Sequence, residues 1–177
     1  NKKTLLYFIL LFFSYSCNSL DKKTIISGET MGTTYSITLV GDTINKNVKV
    51  NIDALLSNIS NHFSTYLNDS EINKVNHSNY KIIDISNSFL YVLEKALYYC
   101  DISDGLYDIT ISPLVDIWGF GEDFNRSQLP LAELIEKTKE YVGFEKLVLK
   151  KNTLQKLNNL IQIDLNAIAK GWGVDKV

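Results

Sequence analysis

The sequence predicts an α+β fold, and three observations carry that expectation. Stretches with two-residue alternation, such as TMGTTYSITLV (30–40), are interspersed with stretches whose apolar residues recur every three or four positions, such as NIDALLSNISNHFSTYL (51–67). The two kinds follow one another in mixed order, without the regular strand–helix repeat of a parallel sheet. The 177 residues are 45% hydrophobic and 21% charged, which is enough for one real core. A formal net charge of -2 gives no support to a nucleic-acid groove, so no nucleic-acid partner is expected.

The first seventeen residues, NKKTLLYFILLFFSYSC, read as an address. Lys2 and Lys3 precede an apolar run from Leu5 to Phe13 that is too short to cross a hydrocarbon core of ~30 Å as a helix. The run suits the middle of a signal peptide. Cys17, placed directly after Ser16, resembles the lipidated cysteine of a bacterial lipobox, although Ser14 stands where that motif prefers Leu. Residues 1–17 are therefore expected to be a signal peptide, and 18–27 a short linker. Lipidation at Cys17 would anchor the protein to a bacterial membrane, expected to be the inner one, on its periplasmic side. The sequence starts at Asn1 with Met31 as its sole methionine, and stops at Val177 straight after a Gly-rich segment. It thus reads as a piece of a longer protein, with 28–177 the N-terminal part of one domain. By itself the piece is expected to be inactive.

Each element of the mature part has a local cause. Thr30–Val40 alternates and is rich in β-formers, so it is predicted as a strand. Ile52, Leu55, Leu56, Ile59, Phe63 and Leu67 share one face of a helix. NDSEINKVNHSN reads as a polar loop and YKIIDIS as a short strand. A second amphipathic helix covers about Asn87–Asp101 and stops near Gly105, with Cys100 at a core position. LYDITISPLVDIWGFG reads as an extended apolar segment ending in a turn. Pro130 suits the first turn of a third helix, PLAELIEKTKEYV, which Gly143 ends. KLVLK, TLQKL and LIQIDL are three short runs that suggest a meander.

In LIQIDLNA, Ile161, Ile163 and Leu165 alternate with Gln162, Asp164 and Asn166, so Asp164 is expected to face away from the core. Small residues follow, with Lys170 near a helix start, a setting suited to a phosphate or a planar heterocycle. It is not a P-loop, because GxxxxGK[ST] is absent. From spacing alone, a solvated pair flanking a turn explains Asp164 and Lys170 equally well. Asp108 follows a helix-ending Gly and reads as a turn residue. Tyr66 ends a helix beside a polar loop, where an aromatic is more often core than cofactor platform. His62 and His77 are isolated, which leaves a zinc site or a Ser-His-Asp triad little support.

The order of four blocks is more specific than any one of them. MGTTYSITL, FSTYLNDSEINKVN, SDGLYDITISPLVDIWGFG and DLNAIAKGWGVD together resemble the ApbE family of FAD:protein FMN transferases. The resemblance implies an α+β architecture related to tunnelling folds, with mixed sheets, packed helices and a flavin in a deep cleft. It implies Mg²⁺-dependent transfer of the FMN moiety of FAD to a Thr or Ser hydroxyl of a target redox protein, releasing AMP. The implied partners are FAD and flavoprotein subunits of membrane redox complexes. By position, Met31, Tyr66, Leu106, Tyr107, Asp108, Asp164 and Lys170 match FAD-contacting residues, and Ala167 matches one whose backbone carbonyl ligates the metal. Leu106 departs from the family's usual Ala-Phe-Asp. No residue of this stretch is assigned a catalytic role. A Mg²⁺-dependent FAD diphosphatase and a non-catalytic flavin-binding lipoprotein are the alternatives.

Overall fold

A computed structural model describes residues 22–41, 45, 47–120 and 129–177. The expected signal peptide and Cys17 lie outside the described residues. The described chain opens with an antiparallel hairpin of β1 (Lys23–Thr30) and β2 (Thr33–Val40), with Thr30 opposite Thr33. Only β2 matches the predicted strand, and β1 takes up residues 23–27 of the stretch expected as a linker. Met31 (φ 49°) and Gly32 (φ 68°) form the connection. Two successive positive φ values match the twist of paired strands, and glycine at the second position makes the turn accessible. Across the hairpin, Tyr35 lies over Gly28, where a Cβ would come within 2.6 Å of its ring. The Tyr35 hydroxyl donates to the Asp53 carboxylate, and Lys49 Nζ lies 2.8 Å from the same group. Those donors, Lys49 first, hold the Asp53 carboxyl below its usual range.

Helix α1 (Val48–Phe63) buries Ile52, Leu56, Ile59 and Phe63. It ends earlier than its apolar spacing suggests, because Ser64 turns extended (ψ 121°). Tyr66 and Leu67 consequently lie beyond the helix, and Leu67 is 43% exposed rather than in the core. The expected polar loop contains a second correction. Its centre is helix α2 (Glu71–Asn76), capped by Ser70 Oγ, which accepts from Asn73 N–H at 3.2 Å. β3 (Ile82–Asp84) and α3 (Asn87–Ile102) follow, the latter capped by Ser86. Phe63 of α1 and Phe89 of α3 stack at 5.7 Å, and Cys100 is fully buried as expected. Each fully buried large apolar side chain contributes roughly 1.5–3 kcal/mol, and Phe63, Phe89, Val92 and Leu93 are among them.

His62 is not isolated. The Glu71 carboxylate accepts from Ser86 N–H (2.6 Å) and Ser86 Oγ (2.7 Å) and meets His62 Nδ1 at 2.5 Å. The serine and the histidine converge on the same carboxylate oxygen, so the cluster ties three helix ends together and is no nucleophilic relay.

The segment expected to be extended before Gly119 contains a short helix, α4 (Ser112–Ile117), with Pro113 in its first turn. α5 spans Ala132–Lys139, shorter than predicted, and Pro130 precedes it because Leu131 is the cap. A single 3-10 turn (Phe144–Lys146) leads to β4 (Leu147–Lys150) and β5 (Thr153–Lys156). These two are the first pair of the expected meander. The sheet order is β3-β5-β4, all antiparallel, so β3 takes the edge predicted for LIQIDL. That third stretch runs outside the sheet into α6 (Asn166–Lys176), with Asp164 N–H donating to Ile109 C=O at 2.7 Å. Its alternation holds: Ile161, Ile163 and Leu165 are each 0% exposed. Among the described residues no helix is long and apolar enough to cross a membrane.

Candidate functional site

Loops and ends of α1, α2, α4 and α6 meet around a cavity of about 440 Å³, whose walls include Tyr66, Asn73, Asn76, Asp116, Asp164 and Asn166. A recess of about 20 Å³ adjoins it, lined by Met31 and Lys170 together with Tyr66 and Asn166. The two hollows share Tyr66 and Asn166, which makes them lobes of one groove. Four residues singled out in the sequence therefore come together: Met31 and Lys170 in one lobe, Asp164 in the other, Tyr66 in the shared wall.

Each has a structural reason to be there. The hairpin turn carries Met31 over α6 at Gly173, where a Cβ would stand 3.3 Å from the Met31 methyl. Its positive φ is uncommon for a side-chain-bearing residue, and is imposed by the two-residue turn. Tyr66 is 72% exposed and lines both lobes instead of filling the core. Asp164 Oδ1 accepts from Asn166 N–H at 2.6 Å and puts negative charge at the start of α6. Lys170 stands one helical turn beyond Asn166, on the same side of α6.

The other matched residues are placed differently. Tyr107 and Ala167 line a separate, mostly apolar hollow of about 480 Å³, beside Tyr99, Ile102 and Ile168. Leu106 is 94% exposed and lines neither hollow. Asp108 is engaged within the protein: it accepts from Thr110 N–H (2.7 Å), Thr110 Oγ1 (2.6 Å) and Phe144 N–H (3.1 Å). Thr110 Oγ1 in turn accepts from Gly143 N–H at 2.7 Å, which fastens this segment to the entrance of β4. Among the described residues no group of three or more His, Cys, Asp or Glu side chains could hold a metal ion.

The Tyr107 hydroxyl is buried with no hydrogen-bond partner among the described residues. Burial, followed by the charges of Cys100, Asp164 and Asp108, pushes its pKa from 10.0 up to about 12. It therefore stays a neutral phenol at physiological pH and is no general base. Tyr107→Phe is expected to leave stability at neutral pH unchanged, or to raise it by up to about 1 kcal/mol. The folded-state pKa is raised, so this group's stabilisation is complete below pH 10 and is lost as pH climbs toward 12. Urea denaturation across that interval should show a steeper decline for the parent than for the variant.

Three buried polar residues were not legible in the sequence: Asn73 and Asn76, which line the groove, and Lys156, which supports α2 through two of its carbonyls. Asn73 and Asn76, read as loop, are 7% and 8% exposed; Lys156, read as a strand residue, is 0% exposed. A signal existed in SEINKVN, where both asparagines flank Ile72 and Val75 at helical spacing and so lie near the core side.

The groove thus offers a cation (Lys170), two carboxylates (Asp116 and Asp164), an aromatic residue and several carboxamides, a set that can meet a phosphate at Lys170 and hydroxyl or ring N–H donors at the carboxylates. The ApbE family model matches residues 31–177. A Vibrio cholerae serotype O1 protein named FAD:protein FMN transferase is 35% identical over 165 residues, covering 91% of this chain and 49% of the relative. A Haemophilus influenzae protein of the same name is 33% identical over 172 residues, covering 92% and 50%. Among solved structures, the flavin transferase ApbE from Vibrio cholerae superposes with a TM-score of 0.84 at 34% identity, covering 88% of this chain and 52% of that one. The chain spans about half the length of the relatives it matches. With the same α+β architecture and a family match over nearly all of the described residues, this chain belongs to the ApbE family.

Proposed function

We propose that the full-length protein transfers the FMN moiety of FAD to a Thr or Ser hydroxyl of a target redox protein, releasing AMP. The observation that carries this is the convergence of Met31, Tyr66, Asp164 and Lys170, from three separate stretches of sequence, on one groove. Lys170 supplies positive charge for the diphosphate, and the exposed Tyr66 ring supplies a stacking face for a heterocycle. Asp164 accepts from a ribose hydroxyl or a ring N–H. The acceptor oxygen forms a bond to the phosphorus on the FMN side as the bond to the AMP-side bridging oxygen breaks, and the hydroxyl proton passes to solvent or to the departing AMP phosphate. Such a displacement needs alignment and charge neutralisation more than a covalent enzyme intermediate. Mg²⁺ would supply further neutralisation; the resemblance gives it the carbonyl of Ala167, a residue that lines the apolar hollow with Tyr107, and its other oxygens would come from FAD and from the remainder of the full-length protein. Lipidation at Cys17 would hold the protein on the periplasmic side of the inner membrane, within reach of membrane redox subunits as targets.

Lys170→Ala in the full-length protein is expected to weaken FAD binding about tenfold, the loss of one charge-assisted contact to phosphate. Lys170→Arg should retain most of the affinity. Calorimetric titration with FAD checks both, and an unchanged Kd for Lys170→Ala would remove Lys170 from the site.

A further inference from the structure

We propose that α2 braces the two lobes of the groove, with Asn73 and Asn76 as positioning residues for Tyr66 and Asp164; this rests on the groove being the FAD site. The two asparagines are three residues apart on one short helix, and each clamps a different site-bearing segment. Asn73 Nδ2 donates to Thr65 C=O at 2.7 Å and to Leu67 C=O at 3.0 Å. One carboxamide thereby holds the carbonyls on both sides of Tyr66, a residue that no longer has helical hydrogen bonds to fix it. Asn76 Nδ2 donates to Ile163 C=O at 2.9 Å, and its Oδ1 accepts from Ile163 N–H at 2.7 Å. It satisfies both backbone groups of the residue directly before Asp164, as a neighbouring strand would.

The chemistry demands an amide at each position. Aspartate has no N–H for the Thr65 and Leu67 carbonyls, and leucine offers neither donor nor acceptor. Burying a carboxamide is unfavourable unless its bonds are made, so packing alone would favour an apolar residue at 73 and 76. The brace is itself fixed at both ends. Glu71, its first residue, is bound by Ser86 and meets His62, while Lys156 Nζ donates to the Val75 and Asn76 carbonyls at its last turn.

The test is a set of double-mutant cycles on FAD affinity, measured by titration of the full-length protein. Asn73→Leu is expected to weaken FAD binding about tenfold in the parent, yet by less than about twofold in the Tyr66→Ala background. Its effect should be fully additive with Asp164→Ala. Asn76→Leu should show the reverse pattern, coupling to Asp164→Ala and not to Tyr66→Ala. A purely structural role would lower affinity by one factor in every background, and that result overturns the proposal. A direct ligand contact by Asn73 would give the same background-independent loss, and overturns the proposal equally. If Asn76→Leu does not fold, the Asn73 cycles alone decide. If neither Tyr66→Ala nor Asp164→Ala alters FAD affinity, the groove is not the FAD site and the brace falls with it.

Discussion

Lys156→Met is expected to destabilise the protein by about 3–5 kcal/mol, because each buried carbonyl left without a donor costs roughly 1–3 kcal/mol. The side chain is fully buried, on the same face of β5 as Leu154. Its ammonium donates to Val75 C=O (2.9 Å), Asn76 C=O (3.1 Å), Ile161 C=O (3.2 Å) and Asn159 C=O (3.3 Å). Burial lowers its pKa, a sign that desolvation opposes the charged form. Four carbonyl dipoles offset that penalty, two of them from the C-terminal turn of α2, where positive charge is favourable. Methionine would match the volume and remove every donor, leaving four acceptors in a site closed to water. Urea denaturation of the full-length protein measures the difference. A loss below about 1 kcal/mol would mean that water replaces the ammonium.

Asp108→Ala is expected to lower stability by about 2–4 kcal/mol, because one carboxylate satisfies three donors, two of them backbone N–H groups. The loss should reach the groove. Ile109, the next residue, gives its carbonyl to Asp164 N–H, so releasing the 108–110 turn frees the backbone that holds Asp164. The resemblance to the family implies that Asp108 contacts FAD, and the structure gives its carboxylate three internal donors as well. Stability and FAD affinity of Asp108→Ala, measured together, separate the two. A weaker affinity without a stability change would make Asp108 a direct contact.

Much of this was legible in the sequence for physical reasons. Helices α1 and α3 announce themselves because their apolar residues repeat at helical spacing, and the alternation ahead of Asp164 turned it away from the core, where it is half-buried. What escaped detection lacked a periodic signal. β1 is short of apolar alternation, since of its residues only Ile26 is buried. α2 has six residues, too few to show a period, and its asparagines imitate a loop. β3 displaced LIQIDL from the sheet edge because pairing depends on distant partners, which composition does not encode. The groove was visible only as ordered motifs: nothing local to Met31 or Tyr66 says that a hairpin turn and a post-helical loop will share a wall.

The central claim is tested most directly by incubating the full-length protein with FAD, Mg²⁺ and a Thr-containing acceptor domain, then weighing the acceptor by mass spectrometry. A gain equal to one FMN moiety, with AMP released and the gain lost when Mg²⁺ is withdrawn, is the expected result. An acceptor of unchanged mass, whether FAD stays intact or is hydrolysed to free FMN and AMP, would contradict it.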